Sequence, residues 1–113
     1  MTTTPSDKLL ALAGMRSRIG APRLDATELS EHLAALAGWK LVENRIEKTF
    51  SFANYYETMA FVNALAYVAH REDHHPDLTV GYNRCGVAFS THDAGGVTLN
   101  DCICAAKIER LAV

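Results

Sequence analysis

Several features that would place this chain in a specialised setting are scarce or missing. It has only three cysteines, Cys85, Cys102 and Cys104. An odd count without a CxxC spacing argues against a disulfide framework or a small zinc module, and favours reduced thiols. It has no run of Lys or Arg, and its formal net charge is -2 with histidines neutral. That argues against a broad electrostatic footprint for nucleic acid or an anionic membrane surface. No apolar stretch reaches the roughly 20 residues of a spanning helix. The apolar run Leu9 to Met15 has only Lys8 ahead of it, offset by Asp7, so it does not make a convincing secretory signal. A cytoplasmic location is the reading. The spaced arginines Arg16 and Arg18 leave an organellar presequence as the alternative.

What is present fits one modest domain. The chain has 113 residues, 49% hydrophobic and 21% charged, ordinary values for a soluble fold with a single core. Residues 1–23 mix Thr, Ser, Pro and Gly, and the expectation there is a flexible N-terminal extension, with a short helix from Asp7 to Met15 as the variant. Residues 24–113 form the domain proper.

Helix starts organise that domain. In LDATEL, Asp25 caps and Glu28 completes a capping box, with Leu24 and Leu29 as the staple. That helix is expected to run to about Ala37 and stop at Gly38. Asn54 with Glu57 opens a second helix reaching roughly Arg71, its face marked by Tyr55, Met59, Val62, Leu65 and Ala69. Thr98 with Asp101 opens a third, continued by Cys104, Ile108 and Leu111. Strand signals lie between, from Trp39 to Val42 and from Arg45 to Phe52. In the second of these Ile46, Phe50 and Phe52 alternate with polar residues, and Lys48 interrupts the apolar face. A further hairpin joins Leu78–Tyr82 to Val87–His92 through Asn83 and Gly86. The expected architecture is a two-layer α+β domain with order α-β-β-α-β-β-α. Its four-stranded antiparallel sheet carries three helices on one face.

The chemistry concentrates in EDHHPD, residues 72 to 77. Of five histidines, His32 lies in the first helix without polar company. His70 and His74 stand four apart, His75 follows, and His92 comes after Ser90 and Thr91. A zinc site is one reading of His70 and His74. However, the glutamate falls third in HREDH rather than second, Pro76 disfavours helical geometry at His75, and no closing ligand set stands out. Histidines that merely complement a helix end are another. Proton transfer fits best: imidazole exchanges protons near neutral pH, and the proline stiffens the turn that presents the pair.

Taken together, His70-x-x-x-His74-His75-Pro76, Tyr82, Ser90-Thr91-His92 and Asp101 resemble the pterin-4a-carbinolamine dehydratase family, from about Asp25 to Leu111. Trp39, after the glycine closing the first helix, is similar as well. The resemblance implies dehydration of 4a-hydroxytetrahydropterin to the quinonoid dihydropterin, recycling the tetrahydrobiopterin-type cofactor of aromatic amino-acid hydroxylases, with no metal or organic cofactor. His74, His75 and His92 would then be the catalytic set, with His74 and His92 as acid/base groups at the C4a hydroxyl and His75 orienting the pterin. Asp73, Ser90, Thr91 and Asp93 would line the pterin. His70 and Asp101 would support them, although Asp101 equally fits a helix cap.

The sequence departs from the family at His70, where glutamate is frequent, and at Leu78, where an aromatic is. The family also implies a homo-oligomer, dimer or homotetramer; the charge and hydropathy noted above set the expectation of no membrane and no direct nucleic-acid binding. Two alternatives come with it: a non-catalytic pterin-binding or protein-partner (coactivator) module, and an auxiliary role in molybdopterin metabolism. Tyr55, Tyr56 and Phe61 on the second helix cannot all face one core, so some of that helix is left for a partner or a second copy.

Overall fold

A computed structural model describes residues 3–111. Four helices and one sheet make up the fold: α1 (Pro5–Ala13), α2 (Ala26–Leu33), β1 (Lys40–Val42), β2 (Arg45–Ser51), α3 (Tyr55–Glu72), β3 (Asp77–Val80), β4 (Arg84–Phe89) and α4 (Leu99–Glu109), with a single 3₁₀ turn at His92–Ala94. The sheet is antiparallel throughout, in the order β1-β2-β4-β3. This is the expected α+β arrangement with one helix added at the front.

The capping residues read from the sequence open their helices. The Asp25 side chain accepts from Glu28 N at 2.8 Å, and Asn54 from Glu57 N at 2.9 Å. Some ends differ from expectation. Helix α2 gives way at Leu33 to tight turns through Ala37, and Gly38 then takes the left-handed conformation at φ 86°. The last hairpin is shifted: β4 begins at Arg84, so Gly86 lies inside the strand, paired with Thr49 and Thr79. The strand ends at Phe89, and His92 opens the 3₁₀ turn instead of closing a strand.

The core lies between the sheet and the helices. Ile46 and Phe50 of β2 and Cys85, Val87 and Phe89 of β4 meet Phe61 and Leu65 of α3 and Ile103 and Ile108 of α4, all buried. Lys48, which breaks the apolar alternation, lays its stem along this layer. Its ammonium lies 4.8 Å from the Phe50 ring centroid, donates to Ala37 O at 2.9 Å and pairs with Glu109, which also accepts from Trp39 Nε1 at 2.8 Å. The cysteines are free and buried; burial pushes the thiols of Cys102 and Cys104 up to about 12.

The largest difference is at the front of the chain. The sequence expectation was a flexible tail, with a short helix from Asp7 to Met15 as the variant. A helix forms, as α1, and it packs on α4 with Leu12 buried, while Lys107 Nζ donates to Ala13 O at 2.7 Å. Burying one leucine stabilises such docking by about 2 kcal/mol. Residues 14–23 continue as a strap across the ends of α3 and α4, returning where Leu24 N donates to Val97 O at 2.9 Å.

Candidate active site

Helix α3 ends at Glu72 and hands the chain to the two histidines through one unusual residue. Asp73 is left-handed, at φ 50° and ψ 44°. Asp73 N donates to His70 O at 3.2 Å and His74 N reaches back to Ala69 O at 3.1 Å, the paired bonds of a Schellman stop. Glycine is the usual residue there; an aspartate in that conformation costs about 1 kcal/mol. The reversal carries His74 off the helix, so it no longer shares a face with His70. His70 is exposed.

His74 is held from two sides. Its ring lies parallel to Phe89, with 5.9 Å between centroids and 6° between planes. Its Nε2 is 2.5 Å from Oδ1 of Asp101, a carboxylate with no solvent exposure. The other oxygen of Asp101 accepts from Thr98 N at 2.8 Å and from Thr91 Oγ1 at 2.9 Å, and the two threonine hydroxyls are 2.7 Å apart. Asp101 is therefore both the helix cap and the partner of His74, one oxygen to each task. With an ionised carboxylate at Nε2 the imidazole hydrogen sits there, which leaves Nδ1 to exchange protons with a ligand.

A second clasp braces the end of α3. Arg16 Nη2 donates to Arg71 O at 3.3 Å, and the Ser17 hydroxyl donates to Glu72 O, so the strap serves carbonyls the helix leaves open. The buried Glu72 carboxylate pairs with Arg16 Nε at 3.0 Å and accepts from Ser17 N at 2.7 Å. Sequence reasoning missed Glu72, Ser17 and Arg16. Glu72 lies within EDHHPD, but nothing local marks the strap that meets it.

Between the strap and the ends of α3 and α4 opens a cavity of about 760 Å³, lined by Arg16–Arg23, Arg71–His74, Thr91, Asp93, Ala94 and Asn100. Of the residues singled out in the sequence, Asp73, His74, Thr91 and Asp93 line it, with Asp101 directly behind. His75, Ser90 and His92 are exposed and stand outside that lining. Among the described residues, no three His, Cys, Asp or Glu side chains converge as a metal-binding group.

The fold agrees with known proteins that the chain resembles. Residues 22–111 match the model of the Pterin 4 alpha carbinolamine dehydratase family, and the chain belongs to that family. A relative from Nitrosomonas eutropha, provisionally named for the same dehydratase, is 56% identical over 95 residues, 83% of this chain and 84% of its own. One from Chromobacterium violaceum, named in the same way, is 59% identical over 91 residues, 80% of this chain and 83% of its own. Among solved structures, a transcriptional coactivator/pterin dehydratase from Brucella melitensis matches with a TM-score of 0.78 at 35% identity, covering 80% of this chain and 99% of that one. A pterin dehydratase-like protein that is a RuBisCO assembly factor in the alpha-carboxysome shares the fold, with a TM-score of 0.56 at 23% identity over 66% of this chain and 86% of its own.

Proposed function

We propose that the chain dehydrates 4a-hydroxytetrahydropterin to the quinonoid dihydropterin by histidine acid/base catalysis, recycling a tetrahydrobiopterin-type cofactor. The observation that carries this is the His74–Asp101 pair at the back of an open cavity. Hydroxide is a poor leaving group. His74, charged and stabilised by Asp101, gives its Nδ1 proton to the C4a hydroxyl as the C–O bond breaks. Water leaves, and a base takes the proton from the adjacent ring nitrogen, whose electron pair forms the new C=N bond. Asp73, Thr91 and Asp93 line the cavity beside His74. His92, as the base, His75, orienting the pterin, and Ser90 are carried over from the family resemblance alone, since all three lie exposed outside that lining. Each well-placed group contributes ~10²–10⁴ in rate. His70, exposed and outside the cavity lining, is assigned only an outer supporting role.

The same reading carries a cytoplasmic homo-oligomer. Tyr55, Tyr56 and Tyr82 are 47%, 83% and 66% exposed, an aromatic surface suited to a second copy. It equally favours the second reading, a protein-partner module. Turnover of chemically generated 4a-hydroxytetrahydropterin by chelator-treated protein decides between them. The expected result is metal-independent dehydration, reduced at least ~10²-fold in His74→Ala. A wild-type rate equal to background sinks the enzyme reading and leaves the binding module.

A further inference from the structure

We propose that Arg18 and Arg23, on the strap, form an anion-binding subsite that takes an acidic group on the side chain of the pterin. This rests on the pterin reading above. The cavity, at about 760 Å³, lies in the upper part of the roughly 300–1,000 Å³ range of small-molecule sites, more than a bicyclic ring system needs. The remaining space is bounded by the strap.

The charges of that wall divide cleanly. Arg16 is committed to Glu72, and the Arg71 guanidinium lies against Tyr67, 3.4 Å from its hydroxyl. Arg18 and Arg23 have no carboxylate within ion-pair distance among the described residues. Asp73 and Asp93 share the cavity lining, but neither is ion-paired with either arginine, so both guanidinium groups are available to an incoming anion.

Both arginines spring from anchored backbone. Arg18 N donates to Asn100 Oδ1 at 3.0 Å, and Asn100 Nδ2 donates back to Arg18 O at 2.7 Å, with Asn100 itself buried. Arg23 bridges to Thr98, and its side chain crosses Gly96 so closely that a Cβ there would stand 2.8 Å from Nε. Gly96 does not have a positive φ, so the glycine answers this close approach rather than a turn. Arginine recognises carboxylate and phosphate by paired, charge-assisted hydrogen bonds. The amino end of α4, to which both residues are tied, adds a favourable dipole. Carboxylate and phosphate ester are the two sources of such an acid.

The test is equilibrium binding of three stable pterins that differ only in the side chain: hydroxymethyl, carboxylate and phosphate ester. Wild type is expected to prefer an acidic ligand by on the order of tenfold, one or two charge-assisted bonds' worth. The preference falls to near unity in Arg18→Ala/Arg23→Ala and to an intermediate value in Arg18→Gln, which leaves the Asn100 anchor intact. The two acidic arms identify which anion is taken. Equal affinity for neutral and acidic ligands, or a preference that survives in the double variant, overturns the subsite. If no pterin binds, titration with pyrophosphate decides. Binding lost in the double variant keeps the subsite and sinks the pterin reading, whereas no binding to wild type sinks both.

Discussion

Helices α1 and α4 begin with the same local device, Thr-x-x-Asp, and put it to different use. At α1, Thr4 and Asp7 cap each other in water: Asp7 N donates to Thr4 Oγ1 at 3.1 Å and Thr4 N to Asp7 Oδ2 at 3.2 Å. At α4 the equivalent pair, Thr98 and Asp101, is buried without exposure, and the carboxylate gains Thr91 and His74 as partners. A cap alone needs one acceptor oxygen. The burial of the second pair makes the other oxygen a strong partner for an imidazole, since a buried carboxylate must be fully hydrogen-bonded. The same sequence pattern thus becomes a structural stop in one place and part of a candidate catalytic pair in the other.

Replacing the carboxylate at each position separates those uses. Asp101→Asn keeps an acceptor for Thr98 N but presents an amide where His74 Nε2 needs an anion, so the imidazole loses the partner that fixes its tautomer. The expected result is a loss of ~10² or more in turnover with the fold retained by circular dichroism. Turnover within a factor of about two of wild type would reduce Asp101 to a cap and remove the reason to place the acid at His74.

A smaller effect is expected where the strap meets α3. Ser17→Ala removes the hydroxyl that serves Glu72 O, and the loss of one such bond costs about 1 kcal/mol in urea unfolding. Turnover should fall with it, because Asp73 and His74 follow directly from that carbonyl, while Arg16 and the Ser17 amide still hold the Glu72 carboxylate. A variant as stable as wild type with unchanged turnover would show that the end of α3 sets the histidines without the strap.

Local signals carried the sheet, three of the helix starts and the histidine turn, because caps, alternation and Pro76 act over a few residues. The site's second half was not legible in the same way. Asp101 reads as a cap since its sequence neighbours explain it fully; its bond to His74 spans 27 positions and exists only after α4 packs against α3. The strap was concealed by composition. Thr, Ser, Pro and Gly look like a tail, yet Thr4, Pro5 and Asp7 are the cap, the first-turn proline and the acid of a helix start. That signal was present and outweighed by the rest of the segment. Lys48 misled in the opposite direction, since its long stem counts as apolar surface once Glu109 takes the charge.

The weakest contrast is the most direct one, Asp7→Asn. The hydrogen bond from Thr4 Oγ1, followed by that from its backbone, holds the Asp7 carboxyl below its ordinary value. A depressed folded-state value means the ionised form stabilises α1 above the unfolded pKa of about 4, and that contribution fades as pH falls through the folded value. Wild type should therefore show faster amide exchange in α1 as the solution is acidified beyond what intrinsic exchange explains. Asp7→Asn should lack this pH dependence and keep its turnover. The cap is fully exposed and screened, so the change should be confined to α1. If Asp7→Asn lowered turnover as much as Asp101→Asn, burial would no longer be what distinguishes the two helix starts.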